Sequence, residues 1–120
     1  EAGLNPGIDV RVSGLNWSQD AIKHVMNGEM TLTHGGHFFA GAWSMVMLYD
    51  YVHGHDFKTM SAEIHFPMSA INQANAHDYL AHLGNQQWSR INFKNLSLSH
   101  SPNSSGYQFT LTKLLQSVRQ

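Results

Sequence analysis

Two short stretches concentrate side chains that could do chemistry: Gly14-Leu15-Asn16-Trp17-Ser18 and Thr33-His34-Gly35-Gly36-His37. The Asn16 amide donates and accepts hydrogen bonds at once, the capability needed to hold a hydroxyl of a neutral polar ligand. Trp17 offers a flat apolar face for the less polar side of a ring. Each has a plainer alternative, Asn16 as a helix cap and Trp17 as a core plug. Gly35 and Gly36 permit backbone geometries closed to other residues and leave two N–H groups near a helix start, where an anion is held well. Their plainer role is to make the turn.

Other chemistries lack their residues. No GxGxxG occurs and no Lys-Ser/Thr pair follows the double glycine, so the phosphate-loop spacing is missing. Nine histidines invite a zinc reading, with His34, His37, His53 and His55 the nearest set. Zinc wants three or four converging ligands, whereas His34 and His37 span a strand–helix turn rather than one helical face. His53 and His55 lie at the far end of the following helix, roughly 20 Å away by helix rise. No metal and no cofactor is expected. There is no cysteine nucleophile, no GxSxG elbow and no HExxH. Asp20 sits where it serves a helix dipole, and Asp50 and Asp56 stand toward the wrong end of the second helix to pair with the junctions. The chain is read as a non-enzyme.

The totals agree with a globular domain. Of 120 residues, 42% are hydrophobic, enough for a core and against disorder. Seven basic against eight acidic residues give a formal charge of −1. No basic stripe is available to displace counterions, so nucleic acid is not an expected partner. The absence of cysteine excludes disulfides and is neutral about compartment. The sequence opens on Glu1-Ala2-Gly3, as a processed chain or an excised domain would, and no apolar run is long enough to cross a bilayer.

The junctions sit between periodic elements. Residues 8–14 alternate apolar and polar and read as a strand. Ser18 is placed to cap a helix carrying Ala21, Ile22, Val25 and Met26, stopped by Gly28. Residues 29–33 read as a second strand. From about 39 to 53 the chain is apolar nearly all round, with Phe39, Trp43, Val46, Met47 and Tyr51 assigned to one side of a buried or two-sided helix ended by Gly54. Residues 61–68 read as a third strand and 72–83 as a third helix. The pattern then weakens, and residues 107–118 begin in alternation and finish as helix or strand. Successive βα units favour a parallel sheet with helices on its faces, where ligands bind beyond the carboxyl ends of the strands.

The stretch VRVSGLNWSQDAIKHVMNGEMTLTHGGHFFAGAWSMVMLYDYVHGHDF resembles the C-terminal lobe of type I periplasmic sugar-binding proteins of ABC transporters, relatives of ribose-binding protein and of LacI-type repressor cores. The shared features fall on Gly14, Asn16, Ala21 to Gly28, Thr31 to His34, Gly41 and Gly54. PMSAINQANAHDYL matches a later family segment through Asn75, Asp78, Tyr79 and Leu80, so the likeness covers residues 8–83. It implies an α/β fold: three-layer α-β-α, Rossmann-like, with an open mostly parallel sheet. It implies that residues 1–120 form one lobe of a two-lobed binding protein, with segments of about 61–120 packing on a missing N-terminal lobe. The ligand would be a small polar solute, a sugar, held in the cleft and passed to a membrane permease or a sensor in the periplasm. A LacI-like effector core is the alternative. By position Asn16 resembles the family's sugar-hydroxyl ligand, and His34-Gly35-Gly36-His37 its second ligand loop. Gly35 and Gly36 supply no side chain, so His34, His37 or backbone N–H groups take that place, and Phe38 with Phe39 adds a stacking face beside Trp17. As a lone lobe the chain would expose apolar surface and favour a homodimer.

Overall fold

Ser18 opens the first helix. Its hydroxyl accepts the Ala21 N–H at 3.2 Å, and α1 runs Gln19–Met26 with Asp20 in its first turn and Lys23 and His24 in its last, the charge order that its dipole favours. The computed structural model describes residues 3–59, 63–101, 104 and 106–119. Around α1 stand the strands β1 (Ser13–Leu15), β2 (Leu32–Gly35) and β3 (Ser69–Ile71). A turn of 3-10 helix, His37–Phe39, leads from β2 into α2 (Ala40–Val52). Helices α3 (Ala76–Leu83) and α4 (Leu111–Arg119) complete the regular elements, with short 3-10 turns filling much of the interval between them.

The fold is α/β. β1 pairs parallel with β2, and β3 runs antiparallel along the other side of β2. An antiparallel edge on a parallel pair is a common arrangement. The register puts Gly14, Thr33 and Ile71 on one face, together with Gly35 and Ser69. That face carries the core: Thr33 and Ile71 are buried beneath Ile22 and Val25 of α1 and Tyr79 and Leu83 of α3. α4 packs on α3 through a stripe of Leu111, Leu114 and Leu115. Its first residue is tied to β3, Leu111 N–H donating to Ser69 Oγ at 3.2 Å. The opposite sheet face is more open, with Leu15 exposed and His34 half-buried.

Several boundaries differ from the sequence reading, each for a local polar reason. Residues 8–14 are not one strand: Asp9 accepts from Asn5 N–H (2.8 Å) and Asn5 Nδ2 (2.9 Å), holding a turn at Gly7 that leaves only Ser13–Leu15 in the sheet. The third strand lies at 69–71 rather than 61–68, of which 61 and 62 fall outside the described residues. The third helix begins at Ala76 because Asn72 and Asn75 exchange backbone for side-chain partners. Asn72 N–H donates to Asn75 Oδ1 and Ala74 N–H to Asn72 Oδ1, both at 2.9 Å. The final segment resolves as helix.

On α2 the buried side is Trp43, Val46, Met47 and Asp50, while Tyr51 faces solvent. Asp50 is fully buried and the one charged residue of the helix. Its carboxylate accepts from Ser97 Oγ (2.5 Å), Leu98 N–H (2.8 Å), Ser99 N–H (3.0 Å) and Tyr107 Oη (3.0 Å). Burial by itself would raise its pKa, but the hydrogen bonds from Ser97, Ser99 and Leu98 outweigh it and bring the group down to about 2. Burial and the Asp50 charge push the Tyr107 phenol up, so it stays a donor.

A carboxyl lowered on folding from 3.8 to about 2 contributes stability that is complete above the unfolded value and lost as pH falls through the folded one. Unfolding free energy measured by urea titration is expected to fall by about 2 kcal/mol between pH 5 and pH 2 on this account. Asp50→Asn removes that acid limb and costs about 3 kcal/mol at neutral pH, since an amide turns donors toward donors. Thr33 offers the opposite case: its Oγ1 is buried with no hydrogen-bond partner among the described residues. Thr33→Val keeps the shape, removes the unmet hydroxyl, and is expected to raise the urea-unfolding free energy by about 1 kcal/mol.

Candidate functional site

β1 and β2 are parallel neighbours, so their carboxyl ends emerge side by side, Leu15 opposite His34. This brings the two chemically promising junctions together at one end of the sheet. Asn16 follows β1 in the left-handed region, φ +69°, a conformation that asparagine tolerates better than most residues. It does not cap α1, a role Ser18 fills, and its side chain is exposed.

Trp17 turns inward and is 6% exposed. Its indole lies across the double glycine: a Cβ on Gly35 would stand 2.7 Å from Trp17 Cδ1, and one on Gly36 2.9 Å from Cη2. Both are closer than real Cβ contacts come, so the two glycines are what admit the ring. Gly36 is also left-handed, φ +96°. Past the glycines, Trp17 Nε1 donates to the Ser69 carbonyl of β3 at 3.0 Å. One side chain from the end of β1 therefore passes over β2 and is bonded to β3. Tyr79 meets the indole edge-on at 5.4 Å, and burial pushes its phenol up to about 12.

Phe38 stands edge-on to Trp17 at 5.6 Å and remains 45% exposed. The exposed His37 ring meets Phe38 at 5.7 Å. Trp88, which the sequence reading did not single out, supports Phe38 at 5.5 Å and Phe39 at 5.0 Å. Only its type could have flagged it, because it lies where periodicity fails. His34 is separated from this group: it pairs with Leu15 and Ala70 on the sheet face opposite Gly35. The site thus has a rigid floor, Trp17 on Gly35 and Gly36, and an exposed rim of Asn16, His37 and Phe38. Among the described residues no three His, Asp or Glu side chains gather as a metal ion would require.

No protein-family model matches the chain, and no curated protein sequence does. A solved structure does: the crystal structure of a periplasmic sugar-binding protein from Pseudomonas fluorescens. Identity is 33% with a TM-score of 0.70, over 94% of this chain. The chain is similar to a periplasmic sugar-binding protein. It spans 35% of that protein's length. The match accords with the α/β fold, and the matched protein is described as a binding protein. No helix among the described residues is long and apolar enough to cross a membrane.

If the glycines are there to admit the indole, Gly35→Ala forces it away. The substitution is expected to lower the unfolding free energy by about 2 kcal/mol. A lower urea midpoint at constant m-value, with altered near-ultraviolet tryptophan dichroism, is the measurement.

Proposed function

We propose that this chain is part of a two-lobed periplasmic solute-binding protein that closes on a small polar solute, a sugar, and passes it to the permease of an ABC transporter. The observation that carries the reading is the 33% identity, across 94% of the chain, to a protein described as a periplasmic sugar-binding protein. The rim chemistry supports it. Sugars present hydroxyls that both donate and accept beside an apolar C–H face, and Asn16, His37 and Phe38 offer an amide, an imidazole and an exposed aromatic ring together. In this reading Phe38 stacks on the sugar while Asn16 and His37 bond its hydroxyls. Trp17, Gly35 and Gly36 form the floor beneath them, and His34, on the other face of β2, lies outside this group. A second lobe, contributed by a longer polypeptide, covers the remaining ligand surface, because a single wall leaves most of a ligand wet.

Native mass spectrometry of the protein purified without refolding, followed by calorimetric titration with a panel of pentoses and hexoses, tests this. The expected result is a retained mass matching a sugar, or heat with at least one of the panel. Phe38→Ala should weaken that binding at least tenfold, about 1.4 kcal/mol, while the unfolding midpoint moves little. Protein that is empty and silent to every sugar would overturn the reading. An adduct of metal mass, lost with chelator, would redirect attention to the histidines.

A further inference from the structure

Among the described residues, the non-glycines in the left-handed region are Asn16 at φ +69°, Asn85 at +56° and Gln86 at +56°. The first belongs to the rim of the candidate site. The other two follow α3, and contacts on either side of them lead to the same rim. Asn85 Oδ1 accepts from the side-chain amide of Gln19, the first residue of α1 and three positions after Asn16. Trp88 stands 5.5 Å from Phe38 and 5.0 Å from Phe39. Gln86 lies in the chain between these two ties, on a loop that runs from the start of α1 to Phe38.

Asparagine visits the left-handed region through local bonds of its short side chain, and glutamine does so less readily. Gln86 is therefore the costliest of the three. Its neighbours hold it there. Asn85 is bonded to Gln19, and Arg90 Nη1 closes the turn by donating to Gln87 Oε1 (3.1 Å) and to the Ala81 carbonyl at the end of α3 (3.4 Å). Every side chain from 85 to 88 thus has a partner except Gln86, whose exposed amide makes no hydrogen bond among the described residues. Backbone strain that the surroundings impose gathers at ligand sites. Here it presents an unused amide next to an exposed aromatic rim.

We infer that Gln86 is a further ligand-contact residue, its amide bonding a hydroxyl of the sugar on which Phe38 stacks. The inference rests on the sugar reading and deepens it. An amide donates and accepts at once, which matches a hydroxyl or two adjacent ones. With Asn16, His37 and Phe38 it completes a rim holding no carboxylate and no ammonium group, a rim suited to an uncharged sugar.

Calorimetric titration of the protein and of Gln86→Gly with D-ribose, D-xylose, D-glucose and D-galactose tests it, followed by monodeoxy analogues of the tightest binder. Glycine adopts φ +56° without strain, so the variant is expected to keep or raise its urea midpoint. Its sugar binding is expected to weaken about tenfold. One deoxy analogue should lose affinity for the unaltered protein and lose none further for the variant, because the missing hydroxyl has no partner left there. That coupling is a readout that a turn of merely structural importance would not move. A folded variant that binds like the unaltered protein overturns the inference and leaves the sugar reading standing. So does one for which every deoxy analogue loses the same factor in both proteins. Should Gln86→Gly fail to fold, Gln86→Asn tolerates this φ and draws the amide back by a methylene, and the same analogues are expected to show the same loss of coupling. Unaltered protein silent to all these sugars removes the sugar reading, and this inference with it.

Discussion

The contact on which the rest of the molecule depends is the Trp17 indole lying across Gly35 and Gly36. A three-stranded sheet with strands of three or four residues has little ladder bonding to hold its register. Trp17 supplies what the ladder lacks, because it leaves β1, covers the end of β2 and donates its N–H to Ser69 of β3. Ser69 in turn receives the first N–H of α4 on its hydroxyl, so one residue of β3 ties the sheet end to the last helix. The same arrangement leaves Asn16 exposed, in a left-handed conformation one residue before the side chain that turns in across the glycines.

A second fixed point lies at the far end of α2, and a run of rings connects the two. Trp17 meets Phe39, Phe39 stacks on Trp43, Trp43 on Phe109, and Phe109 on Tyr107, whose hydroxyl reaches Asp50. The chain is poor in charge, 12% of residues, and places one of its few carboxylates where no water reaches it. Four donors offset the cost of that burial and bind residues 97–99 and Tyr107 to α2. The weak C-terminal pattern is therefore held to the domain by a polar knot as much as by apolar periodicity.

Elements whose signals are local were legible in the sequence: α1 with its Ser18 cap, α2 closed by Gly54, and the existence of β2, although it runs Leu32–Gly35 into the double glycine rather than over 29–33. The family likeness rested on the same segments. What failed to read off the chain was decided by side chains bonding backbone, as Asp9 does at Asn5 and Asn72 and Asn75 do for one another. The junction residues were recognised, but the reason for the two glycines was not. It lies in the indole of a residue eighteen positions earlier, a contact that periodicity does not carry. Asp50 carries one signal in the sequence, a lone charge on an otherwise apolar helix, but its partners lie 47 to 57 residues away, where no periodicity points to them.

The separation between Asp50 and its partners has a consequence for how the chain is made. The donors lie 47 to 57 residues further along. A chain emerging from the ribosome presents α2 long before Ser97 exists, and until residues 97–99 have followed, none of the donors that hold the carboxylate is available to it. Closing so long a loop is slow compared with winding a helix. Synthesis therefore passes through a stage in which the sheet end can already be stapled while α2 cannot yet settle its inner face. That interval is when the nascent chain is most open to chaperones or to pairing with the wrong surface.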